Sequence, residues 1–376
     1  MGSARAVAVF GAYGHTGRFV VAELLERGLT PVLCGRDADR LRALGASLPG
    51  LEVRVASVDD VGSLDAALSG AAAVINCAGP FAATAAPVIE AALRARIPYV
   101  DVAAEVEAVA DTVARFDAPA REAGVPVVPA MAFYGGLGDL LASAATGSWE
   151  GADEVSLAYA LSSWHPTAGT LKSGRVSRQR RDGRRLAFRD GRLVLRDDPA
   201  PTGRWSFPAP VGERSVLEEF TTADSVTIPR HLGASEVRTC MTVEAVGDLT
   251  APDAAPPVPV DELGRSDQRF VVDVVVRRGA DRRRAVARGQ DIYAISAPLA
   301  VGAVVELLGG GVARRGVVTA GELADPSGFL RSLSAHLSFD FVDPESGERL
   351  AGPDAEPGAG GRTEERPEGA APSAVR

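Results

Sequence analysis

The chain holds 376 residues, 46% of them hydrophobic, which suffices for two domains with a sizeable core. Its net charge of −9 argues against broad nucleic-acid affinity, because binding phosphates needs a basic face. Three scattered cysteines, Cys34, Cys77 and Cys240, lack the spacing of a zinc site or a disulfide framework. No run of about 18 apolar residues offers a membrane span, and the first strand begins too early to leave room for a signal peptide, so a cytoplasmic protein is expected.

The first element is a short apolar strand, Val7 to Phe10, followed by "GAYGHTGR" and then Phe19, Val20, Leu24 and Leu25 at helical spacing. A strand thus turns abruptly into a helix through Gly11, Gly14 and Gly17. At such a turn the first glycine takes a backbone shape that side chains resist, the second lets the main chain approach a phosphate, and the third lets helix and strand pack closely. The free amides of the helix start then point at an anion. A tight surface turn also favours glycine, but the flanking strand and helix make dinucleotide binding the better reading. Tyr13, His15 and Thr16 join the three glycines as candidate cofactor contacts.

Further strands follow in "TPVLCGR", "LEVRVAS", "AAAVINCAG", "IPYVDV" and "VPVVPA". Helices are predicted over 37–48 with Asp37 as N-cap, over 83–95 and over 106–122. Repeated βα units of this kind predict a Rossmann-type, doubly wound parallel sheet over residues 1–132. From Phe133 the pattern changes. A helix is predicted near Leu137, then short strands in "EVSLAYAL", "RLAFRDGRLVLR", "EVRTCMTVEAV", "RFVVDVVVRRG" and "RRAVARGQDIYAI", with hairpin turns at Asp182-Gly183 and Asp190-Gly191. This is a second, α+β and mainly antiparallel domain over 133–295, with a proline-rich linker in "LTAPDAAPPVPVDELG". Helices in "APLAVGAVVELLGGG" and "DPSGFLRSLSAHL", the latter capped near Asp325, are expected to return to the first domain over 296–343. Residues 344–376, without one aromatic, are expected to be a disordered tail.

The end of the second strand should meet the adenosine ribose, where an acid would bind the 2′-hydroxyl of NAD. Here Gly35 is followed by Arg36, which can fork onto a 2′-phosphate. NADP(H) is the expected cofactor; the alternative keeps Arg36 in solvent and gives the ribose to Asp37.

In their order, "GAYGHTGR", "VLCGRDADRL", "VINCAGPF" and "YVD" resemble the NADP-binding domain of saccharopine dehydrogenase-like oxidoreductases. The likeness continues through "GTLKSG", "FPAPVGE", "VTIPRHL" and "YAISAPLAVGAVVELL", as in the branch that includes trans-acting enoyl reductases. It implies a Rossmann domain, an inserted substrate and dimerisation domain, hydride transfer and a homodimer. After the sixth strand the chain reads "AFYGGLGD" where amino-acid-forming members carry a glycine, aspartate, proline and glycine cluster, which argues against an amino-acid substrate.

Parallel sheets bind ligands beyond the carboxyl ends of their strands. Asn76, Ala78, Gly79 and Pro80 are therefore expected under the nicotinamide ribose, with Asp101 as a substrate contact or a helix cap. Reduction of a C=N, C=O or C=C bond also needs a proton donor or an electrophile. Lys172, the one lysine among 40 Lys+Arg, is a candidate, as are His231 and Tyr134; each has a plain structural or surface reading beside it. Arg230 and His165 are candidate substrate contacts, and too few ligands accompany His165 and His231 for a metal. Nine arginines between Arg175 and Arg196 lie on a predicted hairpin, either a solvated face or a dock for an acyl carrier protein. The expected activity is NADPH-dependent reduction of an imine-like or unsaturated small metabolite. The alternatives are an enoyl reductase acting on a carrier-bound acyl chain and a non-catalytic NADP(H) sensor.

Overall fold

The computed structural model describes residues 5–310, 314–323 and 325–355. The first part alternates β1 (Ala6–Phe10), α1 (His15–Glu26), β2 (Thr30–Gly35), α2 (Ala38–Ser47), β3 (Glu52–Val55), α3 (Val61–Leu68), β4 (Ala73–Asn76), α4 (Phe81–Ala95), β5 (Tyr99–Asp101), α5 (Val106–Ala123) and β6 (Pro126–Val128). Asp37 caps α2 as expected, accepting the amides of Asp39 and Arg40.

A distorted turn over Phe133–Leu137 leads into α6 (Gly138–Thr146), β7 (Glu154–Leu161), α7 (Ala168–Arg180), β8 (Arg185–Arg189), β9 (Arg192–Arg196), β10 (Thr202–Ser206) and β11 (Glu213–Leu217). After them come α8 (Asp224–Thr227), α9 (Pro229–Leu232), β12 (Glu236–Thr242), α10 (Val243–Thr250), β13 (Arg269–Arg278) and β14 (Asp281–Gln290). The chain closes with α11 (Ser296–Gly309), β15 (Gly316–Val317), α12 (Ala320–Leu323), α13 (Pro326–Ser332), β16 (Leu337–Val342) and β17 (Arg349–Leu350).

The first sheet is parallel, in the order β15-β6-β5-β4-β1-β2-β3. Strand order reverses at β1, which pairs with both β2 and β4, so a crevice opens beyond the ends of β1 and β4. The second sheet runs β10-β11-β12-β7-β13-β14-β16-β17, with the β8–β9 hairpin attached to β12. All its pairs are antiparallel except β12 with β7. One apolar core joins the two domains: Leu140 and Leu141 of α6, Tyr159 of β7, Val272 and Val274 of β13 and Leu299 of α11 belong to the same buried cluster as Val7, Leu24 and Ile75. At about 1.5–3 kcal/mol for each large side chain buried, this shared core outweighs the polar contacts between the domains. No described helix is long and apolar enough to cross a membrane.

Several sequence expectations are corrected. Arg175 to Arg181 lie on or at the end of α7, not on a hairpin, and Asp182-Gly183 ends that helix: both residues have positive φ, and Gly183 donates its amide to the Arg178 carbonyl. Asp190-Gly191 does form the β8–β9 turn. The strand in "EVRTCMTVEAV" stops at Thr242, where Val243, Val246 and Leu249 take up helical spacing. "TIPRHL" spans the end of α8 and the whole of α9. The last segment contributes strands as well as helices, β15 to the first sheet and β16 to the second. The predicted tail begins too early: β17 pairs with β16, and Asp354 accepts a hydrogen bond from the Ser148 hydroxyl at 2.6 Å, while 356–376 fall outside the described residues.

Candidate functional site

The turn between β1 and α1 uses its glycines as backbone. Gly11 has φ +87° and donates to the Cys34 carbonyl; a Cβ there would stand 3.0 Å from the Cys77–Ala78 backbone. Gly14 is the N-cap of α1 and donates to the Gly11 carbonyl at 2.9 Å. A Cβ on Gly17 would overlap the Gly11 carbonyl oxygen, so helix and turn pack without room for a methyl group. Arg18 is the first residue to donate along the helix, to Gly14, which leaves the His15, Thr16 and Gly17 amides without helical acceptors at the crevice.

At the end of β2, the Tyr13 ring covers Gly35: a Cβ on Gly35 would lie 2.7 Å from Tyr13 Cε1. Arg40 stacks over the same ring, 4.5 Å from its centroid. Arg36 is exposed and has no side-chain partner among the described residues. Asp37 is committed to α2, its Oδ1 accepting two amides at 3.1 and 3.0 Å. The free charged group at the end of β2 is therefore a cation.

At the β4 end, Asn76 is fully buried, which corrects its expected role as a direct cofactor contact. Its amide donates to Thr84 Oγ1 and Tyr99 Oη, and its oxygen accepts the Ala78 amide at 3.0 Å, so it shapes the Cys77–Pro80 loop from beneath. Thr84 returns a bond to the Ala78 carbonyl at 2.5 Å. Gly79 is left exposed at the lip, with Pro80 as the N-cap of α4. Asp101 is also buried and holds loops together: it accepts the amides of Ala103 and Ala130 and the Tyr99 hydroxyl, while burial pushes its carboxyl up to about 6. That corrects its proposed substrate contact. The sequence reading missed Glu105, whose buried carboxylate accepts the Phe81 and Ala82 amides at the start of α4, at 2.9 and 3.1 Å. No spacing in the sequence marks so distant a cap.

The opposite wall is α7. A Cβ on Gly79 would lie 2.8 Å from Ser173 Oγ, so the helix crosses directly over the Gly79–Pro80 lip. Its far half is fastened to α5 by Ser177 to Glu107, Arg181 to Glu107 and Arg180 to Asp111, at 2.6 to 2.7 Å. Its start is fastened by Tyr293, another residue the sequence reading missed. The Tyr293 hydroxyl meets Thr170 Oγ1 at 2.9 Å and the Thr167 amide at 3.2 Å, and donates to the His165 carbonyl at 3.3 Å. Lys172 is exposed beside Ser173 at this rim, and His165 is half-buried just before the helix. The His15 ring stands edge-on to Phe19 and Tyr293, its Nε2 buried without a hydrogen-bond partner among the described residues; burial depresses its pKa.

Arg230 and His231 lie elsewhere. His231 Nε2 meets the buried Asp139 of α6 at 2.6 Å; burial, the largest single effect, opposes its charge, but Asp139 and Glu322 together raise its pKa. Arg230 donates to Asp117 and the Val317 carbonyl. Asp117 is eleven residues along α5 from Val106, roughly 16 Å of helix away from the end that adjoins β5. These two side chains tie the β15 edge to the second domain and do not face the cleft. The arginine run is likewise largely neutralised: Arg185 and Arg189 both pair with buried Glu219, and Arg196 pairs with Asp198.

Residues 7–128 match the family model described as the saccharopine dehydrogenase NADP binding domain. A lipid droplet localized protein of Caenorhabditis elegans is 31% identical over 136 residues, 33% of this chain and 32% of that protein, so the chain spans about a third of the length of this curated relative. The apo saccharopine dehydrogenase (L-Glu forming) of Saccharomyces cerevisiae shares the fold, with a TM-score of 0.61 over 90% of this chain and 100% of that one, at 12% identity. The glycine turn, the free amides of α1 and the unpaired Arg36 fit the cofactor that this domain binds, NADP(H).

Proposed function

We propose that the protein, whose residues 7–128 match the model of the saccharopine dehydrogenase NADP binding domain, is an NADPH-dependent reductase of an imine-like or unsaturated small metabolite. Bound NADPH supplies a hydride to an electrophilic carbon. The observation that carries the reading is the pairing of the β1–α1 glycine cradle with α7, which packs against the Gly79–Pro80 lip at the end of β4. In this reading the α1 amides hold the diphosphate, Arg36 and Arg40 receive the 2′-phosphate, and Tyr13 borders the adenine. In this reading the substrate binds beside the Cys77–Pro80 loop and α7, in van der Waals contact with the nicotinamide. Lys172 stands at the rim, placed to attract an anionic substrate group.

A small substrate is favoured over a carrier-bound chain because the arginines offered for carrier docking are mostly paired within the protein. The test is the loss of NADPH absorbance with 2-methyl-1-pyrroline, 2-cyclohexenone and an enoyl thioester as acceptors. Turnover of the imine or enone supports the reading, turnover of the thioester alone supports the carrier-bound alternative, and tight NADPH binding with no turnover of any acceptor supports a sensor.

A further inference from the structure

We propose that Tyr134 is the proton donor of the reduction, its hydroxyl reaching the substrate from behind the α7 wall. This rests on the hydride-transfer reading above. Tyr134 lies in the turn after β6, beyond the carboxyl ends of β5 and β6, because the Ala130–Met131 stretch before it is pinned to Asp101 by two amides at 2.8 and 2.7 Å. Its ring packs against Trp164 at 5.9 Å; the Trp164 indole donates to Tyr293, and Tyr293 stands edge-on to His15 in the first turn of α1. A continuous line of aromatic contacts therefore joins the cofactor cradle to Tyr134.

Along this line Tyr134 differs from Tyr293 in one respect. Its side chain is buried, with the residue 8% exposed, yet its Oη has no hydrogen-bond partner among the described residues. A buried hydroxyl left unpaired costs about 1–3 kcal/mol, which native proteins tolerate where a ligand completes the bond. Tyr293 is unsuited to the role because its hydroxyl is already engaged by Thr170, Thr167, Trp164 and His165. Lys172 is in solvent at the rim. Behind Tyr134 the Tyr159 ring stands edge-on at 5.1 Å, and the Tyr159 hydroxyl and Asp224 Oδ1, also buried without a hydrogen-bond partner among the described residues, lie beside Gly138, so the tyrosine is backed by polar groups on its inner side. Burial holds the Tyr134 hydroxyl well above its ordinary pKa, which keeps the proton on it until the substrate accepts it.

The step balances as follows. Hydride adds to the carbon of the C=N or C=O bond and the π electron pair moves to the nitrogen or oxygen. Tyr134 breaks its O–H bond and gives that atom a proton; NADPH is oxidised to NADP+, the substrate gains two electrons, and the tyrosinate is reprotonated by water. For an enone the same proton goes to the enolate.

The test is Tyr134→Phe, assayed with NADPH and 2-methyl-1-pyrroline or 2-cyclohexenone, beside calorimetric NADPH binding and thermal unfolding. Because the hydroxyl has no partner among the described residues, the variant should keep its NADPH affinity and hold or raise its Tm, while kcat falls on the order of 100-fold or more. A kcat within threefold of the unmodified protein overturns the proposal, as does a fall in Tm or NADPH affinity, which would mark the hydroxyl as structural. If the unmodified protein reduces neither acceptor, the reductase reading itself fails and this proposal falls with it; if it does and the variant matches it, only this proposal falls.

Discussion

Replacing Arg36 with alanine isolates the contribution of one side chain to cofactor choice. The guanidinium is exposed and unpartnered, so its loss removes no internal contact and Tm should stay unchanged. A charge-assisted hydrogen bond contributes about 1.5–3 kcal/mol, and solvent screening at this exposed position points to the lower part of that range. At 1.4 kcal/mol per tenfold change in Kd, a loss of about 1.5–2 kcal/mol means NADPH affinity falls roughly 10–30-fold. NADH lacks the 2′-phosphate and should bind the variant as it binds the unmodified protein. Arg40, fixed 4.5 Å over the Tyr13 ring, remains as a second cation and limits the loss, so Arg36→Ala with Arg40→Ala should lower NADPH affinity by about a further tenfold. Calorimetric titration with both cofactors measures this, and raising the salt concentration should shrink the preference. Equal affinity of the unmodified protein for NADPH and NADH, or an equal loss for both on removing Arg36, would refute the reasoning, and Asp37 would have to be reconsidered as the ribose ligand despite its commitment to capping α2.

Three further outcomes are expected. Gly17→Ala places a methyl group against the Gly11 carbonyl, a backbone atom that cannot swing aside, so unfolding free energy should drop by about 1–3 kcal/mol and NADPH binding should weaken with it; unchanged denaturant midpoints would contradict the packing. Glu105→Gln keeps the shape of the α4 cap but removes its charge, which should cost about 1 kcal/mol, read as a lower Tm, with Glu105→Ala costing more. For His231, burial opposes the charged form but Asp139 and Glu322 together raise the folded pKa above the ordinary 6.5. Its stabilisation is therefore complete below about pH 6.5 and is lost as pH rises through the raised folded value. His231→Gln should flatten the stability profile in that window, and an unchanged slope in denaturant titrations across it would count against the pairing.

The glycine turn was legible from sequence because its function is backbone conformation, and glycine at positions 11, 14 and 17 between a strand and a helix is a local signature with a local cause. The βα alternation through β6 was legible for the same reason, α3 (Val61–Leu68) excepted, since hydrophobic period follows directly from which face each element buries. Side-chain partnerships were not. Asn76, Asp101 and Glu105 carry the residue types of a ligand site, but only the packed loops show that their polar atoms are spent on amides and hydroxyls of the protein itself. His231 and Arg230 look catalytic in the string "PRHL", and their true partners, Asp139 and Asp117, lie 92 and 113 residues away in sequence. The arginine-rich stretch misled because propensity does not decide between helix and hairpin when stabilisation comes from distant acids on α5. Local conformation and burial period are written in neighbouring residues, so the sequence alone determined the cofactor domain; the wall facing it, and which polar atoms remain free, depend on contacts between segments far apart in the chain, and those only the tertiary structure decided.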